Sequence, residues 1–107
     1  MRQIFPCVTI VWLISALPLS VFAQSQAEKI YQANCKACHS SEFVQAPKLG
    51  KKEDWKPRLE KGKKELVQSV IKGMQGYTGA MPPRGGNPKL SDQEIEAAVQ
   101  YIMDAVK

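Results

Sequence analysis

Apolar residues recur at helical spacing along two stretches of the chain. Between Lys63 and Lys72, positions i, i+1, i+4 and i+5 are aliphatic, namely Leu66, Val67, Val70 and Ile71. From Ser91 onward, the apolar residues of one helix face are Ile95, Ala98, Val99, Ile102 and Val106. Each pattern predicts an amphipathic helix that buries one face.

The sequence also predicts where these two helices end or begin, and it predicts a third helix earlier in the chain. Gly73 should end the first helix, and Ser91 with Glu94 forms a capping box at the start of the second. Residues Gln26 to Asn34 also carry apolar side chains on one face, which predicts a helix that packs against the C-terminal one. In that contact, the small Ala27 and Ala98 would let the two backbones approach.

A shorter helix is predicted from Lys52 to Lys61, with Gly62 closing it. Because proline is tolerated only in the first turn of a helix, Pro57 places the start of this helix around Asp54. Trp55 is then expected to lie in the core.

Two stretches contain turn residues instead of a helical pattern. Residues 40–50 include Pro47 and end in Gly50, which predicts a loop. Residues 73–88 hold Gly73, Gly76, Gly79, Gly85 and Gly86 together with Pro82, Pro83 and Pro88. That composition predicts neither helix nor strand, and a loop of this length in a small domain is usually functional.

The N terminus has the features of a secretory signal. Arg2 is followed by a mostly apolar run from Ile4 to Leu19, and Val21-Phe22-Ala23 ends in a small residue suited to cleavage. The alternative is a retained membrane anchor, but Pro6 and Pro18 interrupt a run that is already short of the ~20 residues a spanning helix needs. We expect a signal over residues 1–23, a single domain over residues 24–107, and export to the periplasm.

The candidate chemistry is concentrated in Cys35-Lys36-Ala37-Cys38-His39, which holds two of the three cysteines and the only histidine. The spacing C-x-x-C-H is the attachment signature of c-type haem. On a helix both thiols and the imidazole share one side, so Cys35 and Cys38 could form thioethers while His39 meets the iron. A thioredoxin-like pair would need a βαβ context, and a zinc site would need about four ligands.

A second axial ligand is predicted in the glycine-rich segment. Met81 lies in its middle and precedes two prolines, and Met with His is the axial pair that raises haem potential. Met74 is a weaker candidate, whereas Met103 belongs to a helical stripe and should be core.

Three further residues are expected near the haem. A ligating histidine usually donates its second ring nitrogen to an oxygen acceptor, and the Pro47 carbonyl is our candidate. Trp55 should pack against haem, and the Arg58 guanidinium could pair with a propionate.

The mature chain resembles a class I c-type cytochrome, and within that class the bacterial cytochrome c5 subtype. The likeness is carried by the C-x-x-C-H run and by residues 46–50 (Ala-Pro-Lys-Leu-Gly), 55–58 (Trp-Lys-Pro-Arg) and 81–86 (Met-Pro-Pro-Arg-Gly-Gly). It implies an all-α fold of four or so short helices around covalent haem c, His39 and Met81 as axial ligands, and electron shuttling without enzymatic activity. Members of the subtype often carry a cysteine pair where Asn87 and Leu90 stand, so we expect packing alone to close the Met81 loop.

Charge narrows the possible partners. The formal net charge is +5, and about +4 once Arg2 leaves with the signal. An exported chain with few arginines is not expected to bind nucleic acid; a basic surface fits redox proteins with acidic docking faces. Membrane contact is expected only if the signal is kept. The alternatives are a haem-bearing subunit of a larger oxidase or dehydrogenase complex, and a haem enzyme or sensor with an open iron site.

Overall fold

The computed structural model describes residues 2–4, 6–16, 19–76 and 79–107, with only the backbone described at residues 20, 23 and 24; Pro18 lies outside this part. The elements in chain order are helices α1 (Leu19–Asn34), α2 (Lys36–His39), α3 (Lys52–Leu59) and α4 (Lys63–Lys72), strands β1 (Met74–Gly76) and β2 (Gly79–Met81), and helix α5 (Asp92–Ala105). The described chain is mainly helical, as predicted. No helix within it is both long and apolar enough to cross a bilayer.

The predicted contact between the first and last long helices is confirmed. Helices α1 and α5 form the most extensive contact between elements. Ala27 and Ala98 are both buried, and the Tyr31 and Tyr101 ring centroids lie 5.2 Å apart. The first and last long helices of the domain are thereby joined by direct packing.

The predicted capping box of α5 is also present. The Ser91 hydroxyl oxygen accepts a hydrogen bond from the Glu94 backbone N–H at 3.1 Å and lies 3.2 Å from the Glu94 carboxylate. An ion pair between Lys63 and Glu96, with a 3.1 Å N–O distance, joins α4 to α5. The start of α5 therefore follows from a sequence signal, whereas its ion pair with α4 is shown by the structure alone.

The larger buried apolar side chains form two clusters, one beside the C-terminal half of α5 and the other beside its N-terminal half. One contains Tyr31, Trp55, Ile102 and Val106. The other contains Leu90, Ile95 and Val99, and the aliphatic stripe of α4 packs against it while staying only half-buried. The α4 stripe was predicted as packing surface, and part of it faces outward from the protein core.

The predicted start of α1 was wrong, and so was the proline argument that moved the start of α3 from Lys52 to Asp54. Helix α1 begins at Leu19 instead of Gln26, because residues 19–25 contain no glycine or proline that would stop it. Helix α3 begins at Lys52 and contains Pro57 as its sixth residue. The carbonyl that Pro57 leaves without an N–H partner belongs to Glu53, whose exposure allows water to satisfy it.

The prediction of no strand in residues 73–88 was also wrong. Strands β1 and β2 form an antiparallel hairpin in which Met74 faces Met81 across the ladder. Two of the five glycines that argued against a strand, Gly76 and Gly79, pair with each other at one end of this hairpin, and Gly79 has a φ of 139°. Glycine permits that backbone conformation at little cost. The average composition of the segment therefore did not indicate that three residues on each side could pair as strands.

Candidate functional site

The C-x-x-C-H run forms one helical turn at the junction of α1 and α2. The backbone N–H groups of Cys38 and His39 both donate to the Cys35 carbonyl, at 3.3 and 3.0 Å. Both cysteines are free thiols; Cys35 is half-buried and Cys38 is exposed. Two thiols are therefore held one helical turn apart.

Burial changes the acidity of two groups in this region. It raises the pKa of the Cys35 thiol, and the neighbouring Cys38 adds to the shift. It also raises the pKa of the Tyr31 hydroxyl, which shares a 2.9 Å hydrogen bond with the Ser40 hydroxyl. Both groups are consequently neutral at pH 7.

The His39 ring is buried, with 7% of its surface exposed, and its orientation is fixed. Its Nδ1 atom lies 2.8 Å from the Pro47 carbonyl oxygen. Because a carbonyl can only accept, Nδ1 carries the ring proton and Nε2 carries the lone pair. The Trp55 ring lies beside the imidazole, with centroids 5.7 Å apart. This arrangement leaves Nε2 as the nitrogen able to bind a metal.

The loop that carries Pro47 is anchored to the start of α3. The Lys48 backbone N–H donates to the Asp54 carboxylate at 3.1 Å, and the Trp55 indole N–H donates to the Lys48 carbonyl at 2.8 Å. The Lys48 ammonium turns back onto the Val44 and Ala46 carbonyls. Asp54 thus holds the Pro47–Lys48 peptide group that meets His39, and Trp55 holds the next peptide group along the loop.

Met81 lies in β2 and is half-buried, whereas its partner Met74 is 45% exposed. The chain passes very close to Gly73 at this point. A Cβ placed on Gly73 would lie 2.8 Å from the Pro83 nitrogen and 2.9 Å from the Met81 carbonyl oxygen. Gly73 therefore has to be glycine both for its φ of 78° and for this contact.

The segment after Met81 is held by polar contacts, so the expectation that packing alone closes the loop was wrong. The Arg84 guanidinium donates to the Leu90 carbonyl and to the Asp92 carboxylate, both at 2.7 Å. The Asn87 amide donates to the Asn34 side-chain oxygen at 2.8 Å, across 53 residues of sequence. Arg84 adopts a left-handed φ of 57°, a conformation that persists when surrounding contacts over-determine it.

Arg58 and Trp55, both expected near the haem, occupy α3. Trp55 is buried in the Tyr31 cluster, next to the His39 ring. The half-buried Arg58 guanidinium donates to the Asp54 backbone carbonyl. Sequence reasoning did not identify Asp54 and Asn34 as parts of the site, because each acts through a contact that no local motif signals.

The residues present fit a covalently bound haem. The donor set consists of two free thiols, an imidazole with a lone pair on Nε2, and a half-buried thioether, which is the set that c-type haem uses. The half-buried aliphatic side chains of α4 supply an apolar surface suited to a porphyrin face.

The comparisons with known proteins agree with this chemistry. A family model described as "Cytochrome C oxidase, cbb3-type, subunit III" matches residues 22–102. Cytochrome c-555 of Chlorobaculum thiosulfatiphilum is 43% identical over 77 residues, which cover 72% of this chain and 90% of the relative. The chain is a class I c-type cytochrome. The predicted cofactor, haem c, and the predicted absence of enzymatic activity are thereby confirmed, because these relatives are haem-bearing electron carriers.

Two other relatives extend the likeness among c-type cytochromes. Cytochrome c6 of Microcystis aeruginosa is 40% identical over 76 residues, covering 69% of this chain and 86% of the relative. Cytochrome c5 of Ectopseudomonas mendocina is 34% identical over 78 residues, covering 71% and 85%. The predicted resemblance to cytochrome c5 is thus confirmed, and the chain is similar to other subtypes of the same class as well.

A solved structure supports the fold. A chain from the crystal structure of an electron transfer complex of nitrite reductase with cytochrome c matches with a TM-score of 0.68 and 44% identity. The match covers 77% of this chain and 95% of that one. The predicted class I cytochrome fold is therefore confirmed.

The amide pair between Asn34 and Asn87 should stabilise this cytochrome measurably. Each single change to alanine is expected to lower the free energy of unfolding by about 1 kcal/mol. Because Asn34 also donates to the Ile30 carbonyl, a double-mutant cycle is needed to isolate the pair. We expect a coupling of about 0.5–1.5 kcal/mol by denaturant unfolding; strict additivity would show that the contact contributes nothing.

Proposed function

We propose that this cytochrome is a periplasmic one-electron carrier with Cys35 and Cys38 as the haem thioether residues and His39 and Met81 as axial ligands. The proposal rests chiefly on the His39 imidazole. It follows Cys38 directly, is buried, and donates from Nδ1 to the Pro47 carbonyl, so that Nε2 is the free ligand atom.

Met81 is the sulfur best suited to the opposite axial position. It is half-buried, while Met74 is exposed and Met103 packs in the cluster between α4 and α5. Pro82 and Pro83 restrict the backbone beside Met81, so less conformational entropy is lost when its sulfur is held. The close approach of Gly73 fixes the same segment from the other side.

When bound, haem supplies a one-electron iron couple and no acid–base chemistry. Cys35 and Cys38 would hold it through two thioethers, and His39 and Met81 would both bind its iron, which would leave no iron position for a substrate. Trp55 excludes water around the His39 ring. One of the five N–H donors of Arg58 is used by the Asp54 carbonyl, and the others can meet a haem propionate.

The N-terminal sequence supports a periplasmic location, and the basic surface supports redox proteins as partners. We assign residues 1–23 as a cleaved signal and residues 24–107 as the periplasmic domain. Exposed lysines distributed over several elements, including Lys36, Lys51, Lys52, Lys56 and Lys64, suit redox proteins with acidic docking faces. The solved neighbour, in its complex with nitrite reductase, is a precedent for docking of this kind.

A second candidate is favoured by the family model, whose description is that of an oxidase subunit. In that case the same domain would be a haem-bearing subunit of a larger complex. Co-migration with an oxidase during native size-exclusion chromatography would favour this candidate over a free carrier.

Spectroscopy of protein exported by a host that attaches haem tests the proposal directly. We expect a mass equal to the chain from Gln24 plus one haem, a low-spin ferric spectrum, and a thioether-to-iron band at the red end of the visible range. Met81→Ala should abolish that band and give high-spin haem, while Met74→Ala should keep it. A colourless product with two free thiols would contradict the proposal.

Gly73→Ala should loosen Met81 from the iron, because the added Cβ meets the Pro83 nitrogen and the Met81 carbonyl. The matched control is Gly62→Ala at the other end of α4, with a φ of 85° and nothing within 4 Å of the added Cβ. Both variants carry backbone strain of about 1 kcal/mol. The thioether band should weaken in Gly73→Ala alone; equal bands in the two variants would show that the close approach at Gly73 does not hold Met81 on the iron.

Electrostatic steering predicts opposite salt effects with two small oxidants. Oxidation of the reduced protein by anionic hexacyanoferrate(III) should slow severalfold as ionic strength rises from about 0.01 to 0.15 M, over which the Debye length falls from about 30 to about 8 Å. Oxidation by cationic tris(1,10-phenanthroline)cobalt(III) should accelerate over the same range of ionic strength, because screening weakens its repulsion by the lysines. Stopped-flow rates that do not depend on salt with either oxidant would rule out steering by the lysines.

A further inference from the structure

One peptide group connects the His39 imidazole to a carboxylate. The Pro47 carbonyl and the Lys48 N–H are the two polar ends of the same planar, conjugated unit. The carbonyl oxygen lies 2.8 Å from His39 Nδ1, and the amide nitrogen lies 3.1 Å from the Asp54 carboxylate oxygen. An unbroken path of two hydrogen bonds therefore runs from the ring of His39 to a negative charge on α3.

We propose that Asp54 is a positioning residue that increases electron donation from His39 to the haem iron through the Pro47–Lys48 peptide group. This inference rests on the proposed ligation of iron by His39.

The physical basis is polarisation along the hydrogen-bonded path. A carboxylate beside the Lys48 N–H shifts electron density within the peptide group toward the Pro47 oxygen, and hydrogen bonds in series strengthen one another. A more negative oxygen draws the Nδ1 proton more strongly, which makes the imidazole a more basic ligand. A more basic ligand stabilises ferric iron relative to ferrous iron and so lowers the reduction potential.

The surroundings keep this path in one geometry. Asp54 is half-buried, so its charge is less screened than that of an exposed carboxylate. The Trp55 indole holds the Lys48 carbonyl at 2.8 Å, and the Leu49 N–H donates to the His39 carbonyl at 2.9 Å. These two contacts fix both ends of the Lys48–Leu49 peptide group, which directly follows the one in the path.

The neighbouring residue supplies a matched control. Glu53 also lies in the first turn of α3 and also carries one negative charge, but it is exposed and has no place in the path. Asp54→Asn removes the charge and keeps an oxygen that can accept from Lys48. Glu53→Gln removes an equal charge from the same helix end, and Asp54→Glu keeps a carboxylate.

The experiment measures two properties of the haem-loaded variants. In Asp54→Asn the ferric-to-ferrous ratio at a fixed ambient potential should fall about threefold, a rise in potential of about 28 mV at 59 mV per tenfold. The His39 Nδ1 proton resonance of the ferrous protein should also move upfield, as its hydrogen bond weakens. Glu53→Gln should change neither, and Asp54→Glu should lie nearer the wild type than Asp54→Asn.

Equal shifts of potential in Asp54→Asn and Glu53→Gln would overturn the inference, since they would indicate unspecific charge loss. An unchanged Nδ1 proton resonance in Asp54→Asn would overturn it as well. Both results leave the proposed function intact as long as the wild type keeps its low-spin spectrum and thioether band. Loss of those features in the wild type would instead contradict the ligation on which both proposals depend.

Discussion

The hydrogen bond between the His39 ring and the Pro47 carbonyl is the contact on which the arrangement of the site depends. It joins the C-x-x-C-H turn to a loop that has no regular structure of its own, and so fixes the protonation of the ring as well as its direction. The loop in turn is held by Asp54 and Trp55 at the start of α3. An irregular segment is thereby joined by side-chain hydrogen bonds to the helices on either side of it.

Much of the helical framework could be predicted, because it is encoded in local patterns. The stripes of α4 and α5, the stop at Gly73 and the cap at Ser91 depend on residues within a few positions of one another. The start of α3 could not be placed by the proline rule, because an exposed carbonyl at Glu53 makes an internal proline tolerable. The hairpin at Met81 was missed because pairing with Met74 outweighs the average composition of the segment.

The candidate site also has a part that could be predicted from the sequence and a part that could not. Cys35, Cys38 and His39 are adjacent in sequence, and Pro47 and Met81 could be proposed from residue chemistry and family likeness. The contacts that hold them could not be predicted, because each joins distant positions or passes through the backbone. Asn34 and Asn87 meet across 53 residues, and Asp54 reaches the histidine through a peptide group that belongs to two other residues.

The Met81 segment is held by hydrogen bonds and not by a disulfide, and this limits which disulfides the chain can form. After residue 23 the sequence contains two cysteines, so oxidation within that part of a chain can produce one disulfide, between Cys35 and Cys38. A chain with the additional pair common in the subtype would have three possible full connectivities. With Asn87 and Leu90 at the positions of that pair, and with hydrogen bonds of Arg84 and Asn87 holding the segment, residues 24–107 have no second pairing of cysteines open to them.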